Sequence, residues 1–351
     1  MNRQRFLLPA LFLLTVARFL LLSVHELSTV EKHALACALQ PDLWHEAMGP
    51  ILPLMMKLSM MVFGEGTFGV RFFAPLLILG ASFLVWELAR GLFDPITATW
   101  ALLIFHVTPA VNVAAITFTP TTLGIASSAA VLLMLRQALH RNHPHHIHWW
   151  ALGASLMGCF LVDWLFAMLG VSVMMSLFLT HRGQRALMKW PVIPILGGCT
   201  AFSITLFLAW NSEHAWKAFD PVPGTFASPI LTMTKQALLV LSPLLCGAFV
   251  WAFAQSALQR PMSYAVSFLY AFTWPLITLD MLAWSTLPWP QAGIGAWIAP
   301  ACLLLAYHGL NDDAHAPQKL LWGRIIVLVC SAAQSCMLVQ GDLVKWMGFA
   351  W

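Results

Sequence analysis

Residues 67–93 read TFGVRFFAPLLILGASFLVWELARGLF, and this stretch decides the kind of fold. No charged residue stands between Arg71 and Glu87. A helix needs about 20 mainly apolar residues to cross a hydrocarbon core of about 30 Å, and it satisfies its own backbone hydrogen bonds there. The stretch therefore predicts a membrane-spanning helix near residues 67–89.

The composition of the whole chain points the same way. Of the 351 residues, 60% are hydrophobic and 9% are charged, and the mean hydropathy is +0.78. Soluble domains carry about 25% charged residues, so we predict an all-α polytopic membrane protein. The formal charge of +4 is small, and its cations lie in short loops, which argues against a nucleic-acid partner. The seven cysteines form no CxxC pair, and we expect them to be core residues.

Similar apolar runs recur along the chain and predict about eleven spans in all. The other ten lie near residues 6–23, 95–112, 117–138, 149–162, 164–180, 191–210, 231–255, 262–284, 292–308 and 325–340. Basic residues precede the first run, as in a signal peptide, but no small-x-small cleavage site follows it. We therefore expect an uncleaved first span.

Lys and Arg fall on alternate loops, and this asymmetry predicts a cytoplasmic N-terminus and an outer C-terminus. The cations are Arg3, Arg5, Arg90, Arg136, Arg141, Arg182, Arg185, Lys189, Arg260, Lys319 and Arg324. Residues 24–66 then form the longest outer loop, and we expect no large soluble domain. Because Pro50, Pro53 and Lys57 interrupt its apolar positions, this loop should form interfacial helices.

An ordered series of short motifs runs through this region. It comprises Gly49-Pro50-Ile51, Phe63-Gly64, Val70-Arg71, Leu88-Ala89-Arg90-Gly91-Leu92-Phe93 and a later patch with Trp210, Asn211, His214 and Trp216. Over about residues 20–225 the series resembles the GT-C membrane glycosyltransferases, in the branch of the protein O-mannosyltransferases and aminoarabinose transferases. The resemblance implies one integral membrane domain over 1–351. Within it, 24–66 is the outer loop with interfacial helices, 67–225 the remaining GT-C-like core and 226–351 the C-terminal transmembrane helices.

The resemblance also implies a chemistry and a place in the cell. Such enzymes transfer a sugar from a polyprenyl-phosphate donor to an acceptor at the outer face, here of a bacterial inner membrane with a periplasmic or extracellular C-terminus. The family's acidic pair falls on Val30 and Glu31, its later Pro-Asp falls on Pro120-Thr121, and a family lysine falls near Asp163. These departures leave two main alternatives: a glycosyltransferase, or a catalytically inactive pseudoenzyme that binds lipid or scaffolds a membrane complex. A transporter is a third alternative, but no inverted repeat supports it.

Three charged residues are candidates for the chemistry. Glu31 and Asp163 are the catalytic candidates, because desolvation raises the pKa of a carboxyl and makes it a better base near neutral pH. Glu31 has the alternative of a solvated residue paired with Lys32, and Asp163 that of an interfacial turn. Arg71 could neutralise a lipid phosphate through bidentate hydrogen bonds, or it could be an interfacial anchor. Asp280, near another predicted outer end, is a weaker candidate for a cavity acid.

The remaining candidates are substrate-binding residues on the same face. They are His33, His45, Glu46, Lys57, Asn211, His214 and Lys217. A metal site of His33, His45 and Glu46 is an open alternative, but no known ligand spacing supports it, so we expect no cofactor. The expected partners are a polyprenyl-phosphate-linked sugar or other lipid phosphate, membrane lipids and, under the pseudoenzyme alternative, further membrane subunits. The His-rich tract of residues 140–148 is interpreted as a hydrated cytoplasmic connector.

Overall fold

A computed structural model gives the architecture of the chain. It describes residues 4–40, 44, 48–140, 146–189, 191–216, 242–258, 263–286, 291–311 and 317–339. The regular secondary structure of these residues is helical, which confirms the predicted all-α class. The predicted boundary between residues 225 and 226 lies outside the described residues.

The helices follow the apolar runs closely. Their bounds are α1 Gln4–Leu21, α2 Thr29–Leu39, α3 Ile51–Phe63, α4 Thr67–Arg71, α5 Phe73–Leu92, α6 Pro95–Val107, α7 Pro109–Ala114, α8 Pro120–His140, α9 His146–Val162, α10 Ala167–Leu179, α11 His181–Leu187, α12 Val192–Glu213, α13 Pro243–Leu258, α14 Tyr264–Thr286, α15 Gln291–Asn311 and α16 Pro317–Val339. A short 3-10 helix, Trp164–Phe166, precedes α10. The loop of residues 24–66 contains α2 and α3, two helices in the region where interfacial helices were predicted.

The predicted span 95–112 is divided in the structure. The run 95–112 forms α6 and α7, which meet at Thr108. Pro109 lacks a backbone N–H and disfavours helical geometry in the residue before it, so the first helix ends there and Pro109 begins the next. At the other end of α6 the Asp94 carboxylate accepts hydrogen bonds from the N–H groups of Ile96 and Thr97, which fixes the start of the helix.

Length and composition mark a subset of these helices as able to cross a membrane alone. Among the described residues these are Thr67–Leu92, Pro120–Leu139 and Val192–Glu213. A further pair, Trp164–Leu179 and His181–Leu187, passes together but bends by 103°. The Thr180 hydroxyl accepts a hydrogen bond from the Gly183 N–H at this bend and begins the second helix. The other apolar helices are shorter, so the count of about eleven spans stays a prediction.

Helix α8 lies at the centre of the fold. It packs against α5, α9 and α15, and α12 packs on the far side of α9. Helix α1 packs against α5, on the opposite side of α8 from α9 and α12. The order α1, α5, α8, α9, α12 separates a polar cluster on α1 from a groove between α9 and α12.

Candidate functional site

Two of the predicted site residues form a buried ion pair. Arg71 Nε lies 2.7 Å from Glu31 Oε1, and Arg71 Nη2 lies 2.8 Å from Glu31 Oε2. Glu31 is 0% exposed and Arg71 is 2% exposed. The pair joins the start of α2 to the end of α4, so it fixes the loop of residues 24–66 on the helical core.

The remaining donors of Arg71 are also occupied. Nη1 donates to the backbone carbonyls of Leu22 and His25, each at 2.9 Å, and Nη2 donates to that of Glu26 at 2.7 Å. A guanidinium has five N–H donors, and all five have partners here. A phosphate could reach Arg71 only by displacing one of them. Arg71 therefore connects α4 to the backbone that follows α1.

Glu31 is equally saturated. Its Oε2 accepts from the Ser28 N–H at 2.9 Å, which with the Ser28 hydroxyl forms the capping box that begins α2. Its Oε1 accepts from the Phe118 N–H at 3.0 Å. Four donors point at this carboxylate and occupy its lone pairs. Glu31 could therefore accept a proton from a substrate only if one of these hydrogen bonds broke. The alternative pairing of Glu31 with Lys32 is not observed; Glu31 pairs with Arg71, because the helix turns Glu31 inwards and Lys32 outwards.

The second catalytic candidate, Asp163, is in a different environment. It lies in the turn between α9 and the 3-10 helix, outside both, and is 3% exposed. Its Oδ1 accepts from the Leu165 N–H at 2.9 Å, and its Oδ2 accepts no hydrogen bond from the described residues. Burial raises the pKa of the Asp163 carboxyl to about 7, although this hydrogen bond opposes the shift. Asp163 is thus a buried acid that accepts one hydrogen bond and has a raised pKa.

Aromatic side chains surround this turn. Trp44, Phe160, Phe207 and Trp210 form one buried cluster, and Trp164 packs against it. The ring centroids of Trp44 and Phe207 are 5.2 Å apart, and the Phe207 ring stacks on Trp164 at 5.9 Å. The cluster therefore joins the outer loop, the Asp163 turn and the end of α12.

Gly49 brings the outer loop onto this turn. Its N–H donates to the Val162 carbonyl at 2.9 Å. A Cβ at position 49 would overlap the Leu161 carbonyl oxygen, so a larger residue would push the backbone at position 49 away from Leu161. Gly49 belongs to the Gly49-Pro50-Ile51 motif, and this close approach is a physical reason for a residue without a side chain there.

Three buried polar atoms of this region have no partner within the described part of the chain. They are Trp44 Nε1, Trp210 Nε1 and Asn211 Oδ1. Asn211 is fully buried and uses its amide nitrogen to donate to the Phe207 carbonyl at 3.1 Å. His214 stacks on Trp210 with ring centroids 4.3 Å apart. Buried donors and acceptors without partners are rare, and they commonly mark a place that water or a ligand fills.

An apolar groove begins beside the Asp163 turn. Its volume is about 440 Å³, and it is lined by residues of α9, α10 and α12, with Leu187 of α11 at one end. Phe160 and Phe166, which stand three residues on either side of Asp163, belong to this lining. The few polar side chains in the lining are those of Thr200 and Ser203. The groove has the chemistry of a hydrocarbon site.

The other sequence-predicted residues do not join one cluster. His33 and Lys57 are exposed on α2 and α3. His45, Glu46 and Lys217 lie outside the described residues. Over the residues that the structure describes, there is no group of three or more His, Cys, Asp or Glu side chains able to hold a metal ion. Asp280, on α14, is buried and accepts from Trp297 Nε1 at 3.0 Å.

Arg18, a residue that the sequence analysis did not single out, is also buried. It lies on α1 and is 4% exposed. Its Nη2 donates to Asn112 Oδ1 at 2.8 Å and lies 3.3 Å from His106 Nδ1. An arginine inside an apolar run is a recognisable signal for a functional or structural polar site in a membrane protein.

Part of the sequence and the fold as a whole are similar to known proteins. Residues 47–210 match the model of the family described as dolichyl-phosphate-mannose-protein mannosyltransferase. The structure of ArnT from Cupriavidus metallidurans bound to undecaprenyl phosphate superposes with a TM-score of 0.70 at 14% identity, covering 94% of this chain and 64% of that one. The chain has the GT-C fold. The resemblance to GT-C membrane glycosyltransferases that the motifs indicated is confirmed at the level of fold and family pattern.

A second GT-C-fold relative is more distant. The oligosaccharyltransferase of Archaeoglobus fulgidus, solved with zinc and sulfate, superposes with a TM-score of 0.54 at 13% identity, covering 91% of this chain and 49% of that one. This chain therefore spans less than two thirds of the length of either structure. No protein with a curated description matches the sequence significantly.

Proposed function

We propose that this GT-C-fold protein binds a polyprenyl phosphate in the groove between α9, α10 and α12 and transfers a sugar from it to an acceptor at the outer face. The observation that carries the proposal is the position of Asp163. This buried acid lies in the turn between Phe160 and Phe166, two residues that line the groove. Undecaprenyl phosphate bound to ArnT, which shares the fold, supports a lipid of this class.

The groove suits the isoprenoid chain. Its lining is almost wholly hydrocarbon, and it lies between α9, α10 and α12, which coincide with predicted spans, so a chain could enter sideways from the membrane. Burial of apolar surface would stabilise the complex by about 25 cal/mol per Å². The lipid phosphate would then lie near the Asp163 turn, with the sugar beyond it.

The aromatic cluster suits the sugar. The two indole N–H groups of Trp44 and Trp210 are donors without partners in the described structure, and Asn211 Oδ1 is a similar acceptor. Sugar hydroxyls both donate and accept, so they complement this set. Aromatic faces also pack on the apolar face of a sugar ring.

Asp163 would act as the general base. The acceptor oxygen attacks the anomeric carbon, the bond from that carbon to the phosphate oxygen breaks, and polyprenyl phosphate leaves with the electron pair. Asp163 takes the proton of the acceptor hydroxyl. A base with a pKa of about 7 is well matched to this task at neutral pH. Glu31, a catalytic candidate from the sequence, would instead position the outer loop through Arg71.

The test is sugar transfer by the purified protein in liposomes supplied with radiolabelled undecaprenyl-phosphate-linked sugars and outer-membrane extract as acceptor. Asp163→Asn should abolish transfer while leaving the melting temperature close to that of the wild type or above it. Wild-type turnover by Asp163→Asn would overturn the base assignment.

A pseudoenzyme that only binds the lipid is the second candidate. The saturation of Glu31 by Arg71, Ser28 and Phe118 favours it, because the one acid retained from the family pair is held in a structural role. Lipid binding without transfer from any undecaprenyl-phosphate-linked sugar, together with stoichiometric copurification of other membrane subunits, would select this candidate.

A further inference from the structure

Arg18 forms the centre of a polar cluster that is separate from the groove. The cluster joins α1 to α5, α6 and α7 through Arg18, Ser82, His106 and Asn112. Asn112 Nδ2 donates to the His106 carbonyl at 2.7 Å and so fixes the break between α6 and α7. Because α5, α8 and α9 lie between α1 and α12, this cluster and the groove are on different sides of the protein.

The hydrogen bonds assign a neutral tautomer to His106. The Ser82 hydroxyl donates to the Ile78 carbonyl at 2.7 Å, so its oxygen accepts from His106 Nε2 at 3.1 Å. His106 Nδ1 is then an acceptor, and Arg18 Nη2 donates to it. Both partners of Arg18 are therefore uncharged.

The charge of Arg18 is not compensated by the described residues. The ion pairs found there join Arg71 to Glu31 and Arg90 to Glu87, and Arg18 takes part in neither. Its contacts use Nη2 alone, which leaves Nε and both Nη1 hydrogens without a partner in the described structure. Arg18 as a whole residue is 4% exposed. A buried cation with free donors is a site for an anion.

An apolar cleft lies on the same helices. Its volume is about 190 Å³, and Leu7, Leu8, Leu11, Phe83 and Trp86 line it. Leu11 precedes Arg18 by seven residues, so the two lie on one face of α1 about 10 Å apart along its axis. Phe83 follows Ser82 directly on α5. The cleft therefore lies on the same face of α1 as Arg18, nearer to the N-terminal end of the helix.

We propose that this surface binds an anionic membrane lipid, with its phosphate on Arg18 and a hydrocarbon chain in the cleft between α1 and α5. The occupant is inferred from charge complementarity and direction. The cation lies one turn from the C-terminal end of α1, and the apolar wall of the cleft lies towards the N-terminal end of the same helix, which is the order of a headgroup and its hydrocarbon chain. The proposal stands independently of sugar transfer.

The experiment measures phosphatidylglycerol retained by the full-length protein, using native mass spectrometry and melting temperature in phosphatidylcholine–detergent micelles. Arg18→Met should weaken phosphatidylglycerol binding about tenfold or more, and Arg18→Lys less. Leu8→Trp should weaken binding too, because Leu8 lines the cleft and is exposed, so the larger indole would fill the cleft. The matched control is Leu20→Trp, which changes an exposed leucine of α1 away from the cleft.

Each result decides the proposal. Loss of binding in Leu8→Trp with retention in Leu20→Trp supports it even if Arg18→Met fails to fold, because the Arg18 cluster is intact in both. Equal binding by wild type, Arg18→Met and Leu8→Trp would overturn it. Inorganic phosphate that stabilises the protein as strongly as phosphatidylglycerol would also overturn it, because the site would then take a free anion.

Discussion

Arg71 holds Glu31 through two parallel hydrogen bonds of 2.7 and 2.8 Å, and neither residue has a donor or acceptor left for a ligand. Both residues therefore serve to hold the loop of residues 24–66 on the helical core. The candidate chemistry lies instead at Asp163, in the turn between α9 and the 3-10 helix.

Removing the charge of Glu31 should therefore lower the stability of the folded protein. In Glu31→Gln the Arg71 guanidinium stays buried without a counterion, and breaking a buried ion pair costs about 3–5 kcal/mol. We expect a large fall in the melting temperature in detergent, with Lys32→Gln, an exposed neighbour on α2, as the control. A Glu31→Gln protein that melts like the wild type but has lost sugar transfer would restore Glu31 as the base.

Asp163 predicts a pH dependence of stability. Its pKa is raised from 3.8 to about 7 in the folded protein, so the unfolded chain loses this proton at lower pH than the folded protein. The stability linked to it is full below about pH 4 and is lost progressively as the pH rises through about 7. Wild-type melting temperature should fall between pH 5 and 8 more than that of Asp163→Asn. Glu65→Gln, which removes an exposed carboxylate, should follow the wild type; parallel curves for all three proteins would contradict the prediction.

Gly49→Ala should loosen the outer loop from the Asp163 turn. The added Cβ overlaps the Leu161 carbonyl and breaks the hydrogen bond from the Gly49 N–H to Val162. Overpacking of this kind costs about 1–3 kcal/mol. Thermal unfolding measures the loss, and Gly66→Ala is the control because a Cβ there meets nothing within 4 Å. Equal melting temperatures for the two variants would show that the loop is not held at Gly49.

Asn211→Leu separates ligand binding from folding. The unpartnered Oδ1 costs about 1–3 kcal/mol while it is buried, so its removal should offset the lost hydrogen bond to Phe207. We expect an unchanged melting temperature and a fall in sugar transfer of about tenfold or more. Ser212→Ala, at the exposed neighbouring position, should behave like the wild type. Full transfer by Asn211→Leu would remove the residue from the proposed sugar site.

The sequence was sufficient for most helix positions, because apolar runs and prolines act locally. The run 164–180 became the short 3-10 helix and α10 over Trp164–Leu179, and the run 149–162 became α9 over His146–Val162. The division at Thr108 was missed, because the run 95–112 was interpreted as one span although Pro109 interrupts it. The GT-C resemblance was drawn from an ordered series of motifs, and the fold comparison confirms the GT-C fold.

Side-chain partners were much harder to predict. Glu31 and Arg71 are 40 positions apart, and no spacing rule pairs them. Counting the donors of Arg71 requires the positions of three carbonyls at the end of α1, which only the folded chain brings together. Arg18 did leave a signal, as a cation inside the first apolar run, but its neutral partners come from α6 and α7.

The most direct test of the proposed lipid site is photolabelling with a diazirine analogue of undecaprenyl phosphate, followed by peptide mapping. Labels should fall on the groove wall of α10 and α12. Gly197→Trp should block the groove, whereas Gly198→Trp, at the adjacent position outside its lining, should label like the wild type. Equal labelling of the two tryptophan variants, or labels confined to other helices, would contradict the assignment of the groove to a polyprenyl phosphate.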